Sequence, residues 1–596
     1  AIVTYFNGAS EAIVGADAVL EAAGAVMIAA DSKQNIVTAA NGVSAAAAGA
    51  AVDQPGCILV GQHLGSAAHH LTRGARVDVT ANDVYDFFGE AATIAASGTA
   101  AVGVTAMVNV LKNSVEASLG LNNIVYALAG DVNIAAKAER DVASYAGSVS
   151  GSGTAAVGAT VMVTVIGDKL QQDARDALLM QYDAQGNRTS GGLDIDAFLQ
   201  SFAVGNAAAH EALQGMTLDE DLAGDGQSTA GLQVGGEDGV DVTEGYVSDE
   251  FASATGDKAA GEGENYKIDS DANGDLNAAA ELGQVKRDYA PMSGAGATVG
   301  AGSFAFASGD IRVAANQLLT ADMITGTLGV SGVSGVGAGV AVIVTYSDIA
   351  ALVGEGAILE AGGDVLIEAT SASQEPDAQT QQAQSVTEGL AKELGENLET
   401  YGVRALSVTA GGGYVGESVS AAVIALDDAL RAELMGSVTA SQNVSVRANM
   451  AHENVLAATL AASGGFVAVS VPVSLVRAQG AVRSGISGAG SVTSAGTVSV
   501  TTDILFKNLS AAAAFGGGAV SVNAALPLSI SRVTGDTFIG QGVSVVAGNV
   551  EVAANAVTST RAALLGVNGG AVAVGAGVAI AIDQANLSTY IGADPQ

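Results

Sequence analysis

Tryptophan is absent from this 596-residue chain, and aromatic residues together reach only 4%. The apolar half of the composition (49%) is mostly Ala and Val, diluted by 79 Gly. A core of small and β-branched side chains suits thin, stacked strands better than a globule. Charge is scarce as well, at 14% of residues against the usual quarter. Basic residues are the scarcer kind, 23 against 61 acidic, which leaves a net charge of −38. That field opposes nucleic acid and acidic lipid surfaces, and it attracts divalent cations. The lone cysteine, Cys57, excludes a disulfide within the chain. It fits a cytosolic protein and equally a bacterial exported protein that crosses membranes unfolded, so it does not decide the compartment. The opening AIVTYFNGAS lacks the basic start of a signal peptide.

Catalytic signatures are missing too. No HExxH, GxSxG or phosphate loop occurs, and glycine-rich strings such as GVGAGV recur with no helix after them, as strand positions do. The five histidines are His63, His69, His70, His210 and His452. His69 and His70 are neighbours, but on a strand they point to opposite faces and share no metal. Some solenoids cleave polysaccharides with acidic and basic residues gathered on one sheet. Here the nearest such cluster is Asp427, Asp428 and Arg431, which read as part of a connection. The expectation is that the chain is not an enzyme.

Internal self-similarity is the strongest signal present. A short strand begins at Val26, Val77, Val132, Ile311, Val365, Val444, Val498 and Val550, at spacings of 51, 55, 179, 54, 79, 54 and 52. A second strand follows each time, as GTAAVGVTAMVNV from Gly98, GTAAVGATVMVTV from Gly153, GVGAGVAVIVTY from Gly335 and GGAVAVGAGVAIAI from Gly569. A third landmark is an Ala/Ile/Gly turn, as in ALVGEGAILEA near Leu352. Uncharged runs such as Thr93 to Leu111 belong to this pattern, so they read as buried strands, and no membrane span is expected. The fold class is all-β, a parallel β-solenoid (right-handed β-helix) of units near 54 residues, each expected to hold two or three coils of 18 to 27 residues.

Alternation separates two faces along the second strand. One is large and aliphatic, the other small and nearly flat. The aliphatic face is expected inside, which points Val161, Val163, Val342, Val344, Val471, Val473, Ile580 and Ile582 inward. The flat face, as at Ala573, Gly575, Gly577, Ala579 and Ala581, is then either solvated or a docking plane for association. Pro472 and Pro527 fall in the same strand of adjacent copies, where a local break or bulge is expected. IVTYFNGASEAIVGADAVLEA at Ile2 matches IVTYSDIAALVGEGAILEA at Ile343, so the chain begins in mid-repeat, and it ends in mid-repeat at IGADPQ. A piece of a longer protein is the favoured reading, and joining with other copies the alternative.

Three segments result: solenoid repeats over 1–167, an acidic insertion over 168–297, and solenoid repeats over 298–596 interrupted at about 373–401. The long insertion holds 25 acidic and about 7 basic residues and opens on a helical pattern, DKLQQDARDALLMQYDAQG. The short one reads as a helix with Val386, Leu390, Leu394 and Leu398 every four residues. Within the long insertion, DSDANGDLNAAAE resembles an EF-hand calcium loop. Asp269, Asp271, Asn273 and Asp275 fall on ligand positions, with Gly274 at the turn, but position twelve is Ala280 and the acid, Glu281, comes one residue late. Ca2+ is therefore the one cofactor expected, at a site that is weak or completed from elsewhere.

The repeated GDVxIxA strand, the GTAAVGAxVxV strand and the AxIGxGA turn together resemble the large filamentous haemagglutinin-like proteins of bacteria, in particular the leukotoxin-type filamentous adhesins. The likeness covers about 440 residues, everything outside the two insertions. It implies export to the bacterial cell surface, adhesion or host contact, and no catalytic residues. The expected partners are a host or neighbour-cell surface and own copies or neighbouring repeats. The alternative to an adhesive segment is a self-assembling subunit of an extracellular filament or sheath, and a surface polysaccharide-degrading enzyme is the lesser one.

Overall fold

The computed structural model describes residues 4–13, 19–46, 50–51, 57–68, 71–167, 233–234, 240–241, 294–373, 402–488 and 490–592. Every regular element among them is a strand. Each coil of the solenoid contributes one strand to each of three parallel sheets. Ile358–Ala361 is typical of the short sheet, Ile311–Ser331 of the first long sheet and Ser334–Val353 of the second long sheet. Ser331 and Ser334 are separated by only two residues, Gly332 and Val333, so the chain reverses between the long sheets in a tight arch.

The ladders settle how many coils a repeat makes. Val77 pairs with Val26 on one side and Val132 on the other, and Val132 pairs in turn with Ile311. Equivalent residues of successive units are therefore direct ladder partners. One unit makes one coil, not two or three, because its long strands run to 20 and 21 residues, several times the common strand length of about 5–6.

Register survives both insertions. In the second long sheet Ile166 pairs with Thr345 and Gly294 with Asp348, so residues 168–293 enter and leave across a gap of two partner residues. The returning strand begins at Gly294, a few residues before the expected boundary. In the first long sheet Ser373 pairs with Leu319 and Val403 with Ala321, a gap of one partner residue.

The interior is a wedge. Beside the short sheet it is wide and filled by aliphatic and aromatic side chains, among them Leu119, Ile134, Ile367 and Phe506. Toward the arch the long sheets close on one another, and the inward residues become Gly, Ala, Ser and Thr. Their hydroxyls bond across the gap, Thr93 to Thr105 at 2.8 Å, Thr160 to Ser148 at 3.2 Å and Ser463 to Ser470 at 2.7 Å. Glycine is required where the backbones come closest. A Cβ on Gly339 would lie 2.7 Å from both Ser407 Oγ and Thr409 Cγ2.

This closeness reverses the expected facing. Thr160 and Thr164 turn toward the first long sheet, so Val161, Val163 and Val165 between and beside them point outward. Val342 and Val344 alternate with inward Ala341 and Ile343, and Val471 and Val473 with inward Ser470 and Ser474. Ile580 and Ile582 follow outward Leu528 and Ile530 by register. The small face lines the interior instead, and Gly577 abuts Leu564 of the opposite sheet. It is no docking plane. Alternation defines two faces but is silent on which is inside. Sheet spacing decides that, and only small side chains fit the narrow arch.

The prolines behave as their missing N–H dictates. Pairing to the next coil lapses between Ser470 and Val473 and resumes at unchanged offset, and the strand beside Pro527 divides into Val572–Gly577 and Ile580–Ile591. A true bulge lies elsewhere. The register shifts between His452 and Val455, where Asn454 adopts φ 62°, and this keeps both His452 and Val455 pointing inward.

Candidate functional site

The corner between the short and first long sheets carries a ladder of acids. Gly-Asp pairs precede the long strands, and each side chain fastens the following coil. Asp131 Oδ1 accepts the Asp310 N–H at 2.9 Å, and Asp310 Oδ1 accepts the Asp364 N–H at 2.8 Å. Asp364 Oδ1 takes both the backbone and side-chain N–H of Asn443, whose own Oδ1 accepts the Thr497 N–H at 2.9 Å. A trough of about 500 Å³ runs beside this ladder, with Arg76, Arg312 and Arg447 on its other wall. Arg76 is held by Asp78 at 2.7 Å, and that hydrogen bond raises its pKa further. Arg312 and Arg447 share Glu368. Both signs of charge are thus largely matched within the wall, and neither histidine nor cysteine lines it. The trough can hold a polar chain by hydrogen bonds and charge, and it offers no base–nucleophile pair.

A second constellation lies inside the solenoid. Arg140 donates to Gln317 Oε1 at 3.0 Å, and Gln317 Nε2 donates to Ser347 Oγ at 2.7 Å. Ser347 is the ladder partner of Asp428. His452 Nε2 lies 2.6 Å from Asp428 Oδ2 and 3.3 Å from Ser371 Oγ, and Ser371 donates to the same carboxylate at 3.0 Å. Burial pulls the Arg140 guanidinium below its usual pKa, against the attraction of Asp83 and Asp428. A charge this deep persists only with partners. The Ser, His and Asp have the composition of a hydrolytic triad without its geometry. Serine and carboxylate both meet Nε2, whereas a relay needs them on opposite ring nitrogens, and all three side chains are sealed from solvent.

No match to a known protein was found. Family models, curated proteins and solved structures all fail to match the chain.

Asp427, Asp428 and Arg431 sit in the strand Val415–Leu434, not in a connection. Asp428 turns inward, while Asp427 and Arg431 lie on the outer face, where Asp427 draws on Arg477 and Arg431 bonds Glu433. The calcium-loop residues Asp269, Asp271, Asn273, Asp275 and Glu281 lie outside the described residues, as do His69, His70 and His210. Among the described residues no group of three His, Cys, Asp or Glu side chains is placed to hold a metal ion, and no helix is long and apolar enough to cross a membrane.

The interior track has a sequence signal of its own. Asp83, between Ala81 and Tyr85, and Asp428, between Leu426 and Leu430, are charges at the inward phase of otherwise apolar strands. Periodicity highlights what repeats, and each of these residues occurs once.

Proposed function

We propose that the chain is a rigid, adhesive segment of a surface-attached bacterial protein, with the solenoid as the shaft and the insertions carried on its sides. The single observation behind this reading is the one-coil-per-repeat register, maintained through the three sheets and across both insertions. A solenoid of this kind grows in one dimension and presents long faces rather than enclosing a reaction centre. The resemblance to filamentous adhesins supports the same reading, and so does the sealing of the Ser371, His452 and Asp428 constellation inside the shaft. The acidic insertion, with its EF-hand-like loop, is the part assigned to contact, with Ca2+ as its cofactor.

The test is retention of bacterial and host cells, and of extracellular-matrix proteins, on the immobilised full chain, with calcium and with a chelator. Saturable retention that falls when residues 168–293 are replaced by a single residue, which with Gly167 fills the two-residue gap in the ladder, and falls again with the chelator, is expected. Absence of retention on every surface, or release of sugar from acidic polysaccharides in proportion to chain concentration, rejects it.

A further inference from the structure

The corner trough carries more hydrogen-bonding capacity than the fold uses. Asp131, Asp310, Asp364 and Asn443 each stand one residue before a first long strand, on four successive coils. Their row therefore repeats at the coil spacing of about 4.8 Å and extends about 14 Å along the shaft. Each side chain is locked. Its Oδ1 accepts an N–H of the next coil, and glycine on that coil makes room for it, since a Cβ on Gly309, Gly363 or Gly496 would collide with the oxygen. Fastening takes one oxygen, and Asn443 achieves it without charge. The second carboxylate oxygens of the three Asp residues take no hydrogen bond among the described residues. The opposite side of the trough holds donors. Arg312 and Arg447 each turn Nη2 to Glu368, and both side chains stay 46% exposed. Leu366, the ladder partner of Arg312, adds a half-buried apolar surface between the two rows.

We propose that this trough binds a neutral linear polysaccharide, lying along the shaft with one sugar ring to each coil. The ligand class follows from the lining. A polyanion would meet the row of carboxylates on a chain of net charge −38, and a polycation would meet Arg312 and Arg447. A hydroxyl both donates and accepts. One edge of a sugar ring therefore satisfies the carboxylates while the other takes the guanidinium N–H groups, in charge-assisted hydrogen bonds on both sides. The C–H face of the ring has Leu366 to lie on. An extended peptide also offers groups of both kinds, but those of one edge recur every second residue, at about 6.6 Å, out of step with coils at about 4.8 Å. Pyranose rings joined through opposite carbons recur close to the coil spacing. The acceptor row is fixed before binding, so little ordering of the protein opposes it. The trough belongs to the shaft and uses no residue of the acidic insertion, so this inference and the contact role of the insertion can fail separately.

Titration calorimetry on the full chain tests the proposal, with linear hexasaccharides of glucose, xylose, mannose and N-acetylglucosamine, and with heparin and polylysine as charged counterparts. A neutral hexasaccharide of this panel is expected to bind at one site per chain. Its affinity should rise with length up to about three to four rings, the span of the row, and should stay nearly unchanged between about 50 and 200 mM salt, where the binding of polyions falls steeply. Asp310→Asn keeps the oxygen that fastens the next coil, as Asn443 does, and turns the other acceptor into a donor. It and Arg312→Gln are each expected to weaken binding about tenfold or more, with the circular dichroism of the β-sheets unchanged. Glu360→Gln, on the exposed outer face of the short sheet, is expected to leave the affinity as it was. Failure of every neutral oligosaccharide to bind overturns the proposal, and so does binding that both trough variants leave intact. Preference for heparin or polylysine, lost with the same variants, also overturns it, because the trough then selects charge.

Discussion

Arg404 and Asp322 are ladder partners in the first long sheet and form a bidentate ion pair whose side chains are only 1% and 2% exposed. Arg404 Nε lies 2.6 Å from Asp322 Oδ1 and Nη2 lies 2.7 Å from Oδ2, and Tyr145 donates its hydroxyl to Oδ2 at 3.0 Å. An exposed pair of this kind contributes about 0–1 kcal/mol. A buried one behaves differently: removing one partner costs about 3–5 kcal/mol, because a charge is left unpaired, whereas replacing both by apolar groups is near neutral or stabilising. Arg404→Met is therefore expected to destabilise the adjoining coils by about 3–5 kcal/mol, and Arg404→Met with Asp322→Leu to lie within about 1 kcal/mol of the parent or above it. A repeat array does not unfold as one unit, so the proper readout is exchange in Ile311–Ser331 and Val403–Gly412. There the single change should accelerate the slow amides by about two to three and a half orders of magnitude, at about 1.4 kcal/mol per decade. A single variant costing under about 1 kcal/mol, or a loss that disappears in high salt, would show that water reaches the pair and would refute the argument.

Two further outcomes follow from the interior. Burial holds the Tyr85 hydroxyl well above its ordinary pKa, helped by Asp83 and Asp86, and no hydrogen-bond partner meets it among the described residues. Its folded pKa is raised, so this contribution is intact below the unfolded value of about 10 and is lost as pH rises beyond it. Tyr85→Phe should move alkaline unfolding, followed by circular dichroism, to higher pH and add about 1 kcal/mol near neutrality, and an unchanged alkaline limb would contradict this. Gly339→Val drives its side chain into Ser407 and Thr409 and should cost about 1–3 kcal/mol or more, seen as a lowered thermal midpoint, whereas Gly326→Ala meets nothing within 4 Å and should leave the midpoint almost unmoved.

Much of the architecture was legible because a ladder partner in a one-coil repeat is simply the same residue one unit later. The spacings of Val26, Val77 and Val132 are the ladder itself. Two features were not legible. Coil count depends on strand length, and strands of 20–21 residues lie far outside the common range. Facing depends on the distance between sheets. The alternation of Val161 with Thr160 and Met162 is equally consistent with either side inward until the hydroxyl bonds across the arch fix it. The interior track escaped for a different reason. Gln317, Asp428 and His452 come from distant parts of the chain, and only coiling brings them to one level.

The seam at Ile166 and Gly294 has an architectural consequence. Solenoids usually accept additions at their corners, where a turn can lengthen without disturbing a ladder. Here the chain departs from the middle of a strand and resumes the same ladder opposite Asp348. The two points lie three residue steps apart along the partner strand, from Thr345 to Asp348, roughly 10 Å at the usual rise. Whatever is mounted there must have adjoining termini, much as a plug fits a two-pin socket, and any self-contained unit with such termini could be exchanged for it without the shaft registering the change.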